Sequence, residues 1–323
     1  MRIFVTGGAG FVGSAYVRHV LERTDDEITV FDALTYAGAW SNLDDVRDDP
    51  RLTLVQGSVA DRAAVRQALP GHQAVVHLAA ESHVDRSLLD ADVFVRTNFT
   101  GTHVMCDEAR RAEVERFLHV STDEVYGSVP AGLSTEDDVL APTSPYSASK
   151  AASDLIALSH FASTDLPVIV TRSSNQFGPR QYPEKLIPLF VTNLLQGRTV
   201  PVYGDGLHCR DWLRVEDNCV ALDQVLRTGT PGEIYNVAAH QERTNNEVTA
   251  LLLACLGLDE SRIEHVADRP GHDRRYAMDT TKVEALGIAR PTAGFEAALE
   301  ATVRWYVDHE SWWRPRLDAV HNR

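Results

Sequence analysis

The chain has 323 residues, 44% of them hydrophobic and 24% charged, with a formal net charge of −15. That length supports one large domain or two intimate ones, and the acidic balance argues against a protein that tracks nucleic-acid phosphates, though local arginine clusters leave room for a small anionic ligand. The 4 scattered cysteines show no CxxC and no His/Cys ligand spacing, which predicts reduced thiols in a cytoplasmic setting and no metal, and the direct opening on MRIFVTGG predicts neither a signal peptide nor a membrane span.

In chain order, Ile3–Thr6 is a short apolar run that meets glycines, and a helical pattern follows from Val12 to Glu22. Ile28–Phe31 ends on Asp32; Leu52–Gln56, Ala74–Leu78 and Phe117–Ser121 repeat the theme with helix-like stretches between them; Val168–Thr171 and Ile234–Val237 read as later strands. Short continuous apolar runs alternating with amphipathic helices predict an α/β fold, a doubly wound parallel sheet covered on both faces. After Asn175 the texture changes, with Pro179, Pro183 and Pro188 close together. The expected organisation is a dinucleotide-binding Rossmann unit from 1–174 plus 209–236, and a smaller mixed α/β substrate unit from 175–208 plus 237–323. Within the first unit, Asp211–Leu226 is expected to return as a strand and a helix.

Gly7, Gly10 and Gly13 form GGAGFVG between the first strand and first helix. Glycines at such a turn let backbone N–H groups approach a pyrophosphate at the helix N-terminus. Asp32 closes the second strand, where a carboxylate accepts hydrogen bonds from a ribose 2′-hydroxyl and repels a 2′-phosphate, so NAD is expected over NADP. The small residues after His77, namely Leu78, Ala79 and Ala80, allow a cofactor to lie against the end of the fourth strand; His77 itself reads equally well as a core histidine.

Tyr146 and Lys150 form YxxxK, which on a helix places an ammonium near a phenol. A positive charge there favours tyrosinate, a general base near neutral pH. Thr122-Asp123-Glu124 follows the fifth strand at its carboxyl end, where open α/β sheets bind ligands. As an N-cap the triplet has a structural use. As chemistry, two neighbouring carboxyl groups should split in pKa into an acid and a base. One removes a proton alpha to a new ketone, and the other donates to a departing hydroxyl.

With GGAGFVG, DALTYAG, HLAAESHVDRS, VSTDEVYGS, SPYSASK, SNQFGPRQYPEKLIP, VYGDGLHCRDWLRVED and DRPGHDRRYAMD in hand, the chain resembles the extended short-chain dehydrogenase/reductase superfamily. Within it, the chain is most similar to the dTDP-glucose 4,6-dehydratases, over nearly its whole length. The resemblance implies a tightly bound NAD regenerated each turnover. Its contacts would come from Gly7, Gly10, Phe11, Val12, Gly13, Asp32, Leu34, Thr35, Ser58, Val59, Leu78, Ala79, Ala80, Thr97, Tyr146 and Lys150. It implies that Tyr146, with Lys150 and Thr122, takes the C4 hydroxyl proton, that Glu124 removes the C5 proton and that Asp123 protonates the C6 hydroxyl. Ser82, His83 and Asp85 would line the glucosyl pocket. Asn175, Gln176, Lys185, Leu186, Arg210, Asn245, Arg269 and His272 would contact sugar, diphosphate and base. Relatives with Thr-Ser-Glu at the triplet, and 4-epimerases, lack the acid pair, so Asp123 points to the dTDP-type dehydratase.

Departures from the family pattern are Gln176 in place of a second asparagine, Ser58 where Asp often meets the adenine, and Ala238-Ala239 in place of a glycine-rich turn. The resemblance also implies a homodimer built on helices around Asn98–Arg111 and Tyr146–Ser163. The competing readings are a dehydratase or 4-epimerase acting on another sugar nucleotide such as UDP- or CDP-glucose, and a non-catalytic dinucleotide sensor. The last typically loses the tyrosine or lysine that are both present here.

Overall fold

The computed structural model describes residues 1–288 and 294–321, without the side chains of 318–321; residues 289–293 and 322–323, which fall inside the expected substrate unit, lie outside the described residues. The strands are β1 (Arg2–Thr6), β2 (Glu27–Asp32), β3 (Leu52–Gln56), β4 (Ala74–His77), β5 (Arg116–Thr122), β6 (Val168–Ser173), β7 (Asn175–Phe177), β8 (Val200–Tyr203), β9 (Cys209–Arg214), β10 (Ile234–Val237), β11 (Glu242–Thr244) and β12 (Ile263–Val266). The helices are α1 (Phe11–Arg23), α2 (Arg62–Ala68), α3 (Val84–Leu89), α4 (Ala91–Phe94), α5 (Gly101–Arg111), α6 (Pro145–Ser163), α7 (Leu186–Leu195), α8 (Val215–Thr228), α9 (Asn245–Leu256), α10 (Thr281–Glu284), α11 (Phe295–Asp308) and α12 (Glu310–His321).

Seven parallel strands form the main sheet in the order β10-β6-β5-β4-β1-β2-β3. The order reverses direction at β1, which places a crevice at the carboxyl ends of β1 and β4. Both faces are covered, which is why the inner strands are mainly apolar rather than alternating. One face carries α1 and α8, with Tyr16, Val17, Val20, Leu222 and Val225 against Ile3, Val5 and Val76. The other carries α2, α5 and α6, with Val65, Met105, Cys106 and Ala157 against Phe4, Val75 and Phe117.

A separate apolar cluster joins α7, α9, α11 and α12 through Phe190, Leu252, Leu299, Tyr306 and Trp313. Above it, β7, β9 and β11 form a three-stranded sheet and β8 and β12 a two-stranded one. The expectation for Asp211–Leu226 is therefore corrected in part. Its helix α8 does pack on the main sheet, but its strand β9 pairs with β7 and β11. Polar Asp211 explains the choice: its buried carboxylate accepts from the N–H groups of Ala239, His240 and Gln241, contacts that an edge of the main sheet does not offer.

Between α4 and α5, Val95–Thr100 forms a π-helical turn, closed by the Gly101 N–H bonding back to the Arg96 carbonyl. Such turns are uncommon and concentrate near functional sites.

Candidate active site

The glycine turn brings β1 and α1 together backbone to backbone. Gly7 has φ of 69°, a region costly for other residues, and a Cβ there would lie 2.8 Å from Ala79 Cα. A Cβ on Gly13 would come within 2.1 Å of the Gly7 carbonyl oxygen. Gly10 caps α1 with no side-chain hydrogen bond, and no acidic residue follows in the first turn. The leading N–H groups thus have no side-chain acceptor and suit a diphosphate.

Asp32 is buried beside this turn. Its Oδ2 accepts from the Ala9 N–H at 2.9 Å and its Oδ1 from the Leu34 N–H at 2.8 Å. Burial raises its pKa while those two N–H groups oppose the shift. Each oxygen keeps lone-pair capacity for a ribose hydroxyl. A bare helix start next to a held carboxylate fits NAD: Gly10, Phe11, Val12 and Gly13 would hold its diphosphate and Asp32 and Leu34 its ribose. Leu78, Ala79 and Ala80 follow β4, half-buried, at the same edge, and Thr6 anchors the Ala79 N–H at 3.2 Å. Ser58 follows β3 and caps its own turn by accepting from Ala60, Thr35 is exposed, and Thr97 sits in the π turn. Val59 packs into the core. His77 is the core histidine of its two readings: it is buried, with ring nitrogens 2.7 Å from the Thr6 hydroxyl and 3.0 Å from the Thr102 hydroxyl.

The Thr122 triplet serves as cap and site at once. Thr122 Oγ1 accepts from the Glu124 N–H at 3.3 Å, starting a 3₁₀ turn at Asp123–Tyr126, and donates to Asp123 Oδ1 at 3.1 Å. Asp123 is only 3% exposed, and its Oδ2 is buried with no hydrogen-bond partner. Burial, then the neighbouring Glu124 charge, raises the Asp123 pKa well above the carboxylate range, with Arg210 opposing. Glu124 is also raised by burial, but Lys185, Arg210 and Arg269 hold its charge back down. The two carboxyl groups therefore differ in the direction the sequence suggests: Asp123 keeps a proton more firmly than Glu124.

Helix α6 begins with a capping box between Ser144 and Ser147 and Pro145 at its start, the combination that fixes a helix N-terminus. This sets Tyr146 and Lys150 on one buried face. Their arrangement differs from the simple expectation of a lysine that lowers the tyrosine pKa. Lys150 Nζ donates to the Val120 carbonyl at 2.8 Å, and burial pulls its pKa down to about 8. Tyr146 is raised, by burial first and then by Glu124 and Asp123, with Thr122 opposing. Burial dominates that rise, while the Lys150 ammonium is engaged by the β5 backbone.

A cavity of about 890 Å³ opens beside this group, lined by Glu124, His83, Asp85, Asn175, Lys185, Leu186, Arg210, Asn245, Arg269 and His272 among others. Asp85 and Arg269 pair across it at 3.1 Å. Arg210 is anchored by donating to the Asp273 carbonyl at 2.8 Å and lies over the Tyr276 ring. Two expected contacts are set apart from the lining. Gln176 faces away because neighbours on a strand alternate: with Asn175 in the lining, its amide oxygen instead accepts from Asn218 of α8 at 2.9 Å. Ser82 contributes its backbone carbonyl, which accepts from Lys185 Nζ. Ala238 and Ala239 are buried, away from this lining.

Sequence reading missed a second ring of residues. Tyr36 donates to Glu184 at 2.8 Å while Arg86 pairs with the same carboxylate and stacks over the Tyr36 ring at 3.5 Å; all three line the cavity. Asn98 of the π turn accepts from the Glu81 N–H at 2.8 Å and donates to the Ser149 hydroxyl at 2.8 Å, tying the loop after β4 to α6. Neither group has a local spacing that marks it, since each is assembled from distant segments.

The fold and this constellation define an extended short-chain dehydrogenase/reductase. A family model described as GDP-mannose 4,6 dehydratase matches residues 4–302. A dTDP-glucose 4,6-dehydratase of Streptomyces antibioticus is 50% identical, covering 98% of this chain and 95% of the relative. The solved structure of DesIV, a dTDP-glucose 4,6-dehydratase from Streptomyces venezuelae with NAD bound, superposes with a TM-score of 0.96 at 50% identity, covering 98% of this chain and all of the other. That of Bacillus anthracis, in complex with NAD, does so with a TM-score of 0.91 at 43% identity, covering 98% and 99%. The chain belongs to the dTDP-glucose 4,6-dehydratase family.

Proposed function

We propose that the protein is an NAD-dependent hydro-lyase that converts dTDP-glucose to its 4-keto-6-deoxy derivative. The observation that carries this is Asp123, a buried carboxyl group with a raised pKa and one orphaned oxygen, set beside a Glu124 whose charge is supported by Lys185, Arg210 and Arg269. An enzyme that only oxidises, or that epimerises at C4, has no use for a proton donor there.

Held by the glycine turn and Asp32, NAD would supply the hydride acceptor for C4 and the hydride donor for C6. Tyr146 takes the C4 hydroxyl proton, aided by the Thr122 hydroxyl and by the Lys150 charge. Glu124 removes the C5 proton, which the new C4 ketone has acidified, and returns it to C5 after water has left, as hydride reaches C6. Asp123 gives its proton to the C6 hydroxyl, which leaves as water. Glu124 suits the base because three cations favour its ionised form, and Asp123 suits the acid because burial favours its neutral form. His83 and Asp85 would face the glucosyl group, and Arg210, Arg269, Asn245 and His272 the nucleoside diphosphate, where arginine gives bidentate bonds.

The separate apolar clusters support the division into a dinucleotide unit, 1–174 plus 209–236, and a sugar-nucleotide unit, 175–208 plus 237–323, with two exceptions: β9, and α10, whose Val283 packs into the main-sheet core. Exposed Phe99, Leu155 and Phe161, in the π turn leading into α5 and along α6, support a homodimer through that face. No helix among the described residues is long and apolar enough to cross a membrane.

The test is a panel of dTDP-, UDP-, CDP- and GDP-hexoses with mass spectrometry for loss of water, run beside Glu124→Gln. The expected result is water loss from dTDP-glucose in preference to the others, and a Glu124→Gln protein that binds NAD but dehydrates poorly. Epimer exchange without water loss, or full turnover by the variant, refutes the assignment.

A further inference from the structure

At the rim of the cavity two loops meet. One connects β8 to β9 and carries His208; the other follows β12 and carries Asp268 and His272. Backbone hydrogen bonds clamp them at both ends, from the Gly204 N–H to the Val266 carbonyl at 3.0 Å and from the Cys209 N–H to the Arg274 carbonyl at 2.9 Å. Inside the clamp the Asp268 carboxylate spans two imidazoles, with Oδ1 2.7 Å from His272 Nδ1 and Oδ2 3.3 Å from His208 Nε2. The two rings stack with centroids 3.6 Å apart. One ligand atom from each residue lies within 4.8 Å of the others.

We propose that His208, Asp268 and His272 bind one divalent transition-metal ion of the Zn²⁺ class. Two imidazoles and a carboxylate are the donor set that borderline ions take, whereas Mg²⁺ and Ca²⁺ prefer oxygen alone. The His208–Asp268 separation already matches the ligand–ligand edge of about 3.4 Å that a tetrahedral ion with bonds near 2.1 Å requires.

His208 is 4% exposed and presents Nε2, not its unpartnered Nδ1, to Asp268, so Nε2 is the nitrogen placed to hold the ion and Nδ1 carries the ring proton. Binding needs the rings to hinge out of their parallel stack, because an ion lies in the plane of each imidazole that holds it. Asp205 is already engaged by Arg274 at 2.8 Å and does not compete. Because His272 lines the cavity, the ion adds positive charge to the rim near Arg269.

The test is titration of the purified full chain with Zn²⁺ against a chromophoric chelator, alongside Co²⁺ absorption. The expected result is one ion per chain at micromolar affinity or tighter, with visible Co²⁺ bands and no thiolate charge-transfer band. Zn²⁺ should also raise Tm, as any ligand of the folded state does. His208→Gln and Asp268→Asn should each weaken binding at least tenfold and lose the Tm shift while keeping the metal-free Tm. Wild-type binding weaker than about 100 μM, far below structural zinc sites, or unchanged affinity in both variants, overturns the proposal.

Discussion

Replacing Asp123 with asparagine isolates proton donation from everything else the triplet does. The amide oxygen can still accept from Thr122 as Asp123 Oδ1 does at 3.1 Å, so the cap on the 3₁₀ turn survives. The side chain is neutral, the form that burial and the Glu124 charge already favour for Asp123, so the electrostatic field on Glu124 and Tyr146 changes little. What disappears is the proton. General acid catalysis contributes about 10²–10⁴ in rate, or about 3–5 kcal/mol of transition-state stabilisation. Asp123 is buried away from water that could substitute as donor, which places the expected loss in the upper part of that range, about 10³. Single-turnover absorbance of reduced cofactor reports oxidation at C4, and mass spectrometry of the same samples reports loss of water. The expected outcome is oxidation within a few fold of wild type and dehydration slowed about 10³-fold. Dehydration within about fivefold of wild type, less than any general-acid contribution, refutes the reasoning, and so does equal loss of both steps.

Gly13→Ala should lower both Tm and NAD affinity. Its Cβ would meet the Gly7 carbonyl at 2.1 Å, a backbone contact that cannot rotate away, with a cost of about 1–3 kcal/mol for overpacking; an unchanged melting curve counts against the backbone-to-backbone contact. The Lys150 pKa, depressed to about 8 by burial, makes its cation available below that pH and lost above it. Turnover should therefore fall on the alkaline side from about pH 8, and Lys150→Arg should move that limb upward; a limb that stays put assigns it to another group.

The main sheet was legible because its physics is local. Runs such as Ile3–Thr6 and Phe117–Ser121 must be strands covered on both faces, and GGAGFVG must turn between strand and helix. The acid pair was legible for the same reason, being adjacent in sequence. What was hidden depended on direction rather than on identity. Gln176 and Asn175 are chemically alike in sequence, yet strand alternation sends one to Asn218 and the other into the cavity. The start of Asp211–Leu226 reads as a strand, but which sheet it joins is decided by Asp211 finding three N–H donors far along the chain. Lys150 has the right spacing to face Tyr146, yet the Val120 carbonyl claims it. The Tyr36–Arg86–Glu184 cluster needs three segments to meet before it exists at all.

The widened turn at Val95–Thr100 acts as a phase shifter. One residue more or fewer in a helical stretch rotates all that follows by about 100°. Here the rotation lets Asn98 point inward to fasten Glu81 and Ser149, while Met105 and Cys106, further along, still fall under the sheet. The length of this segment is thus more tightly constrained than its composition. Outward-facing Val95 and Arg96 can drift in evolution, but a one-residue deletion would put either the fastener or the apolar stripe out of step.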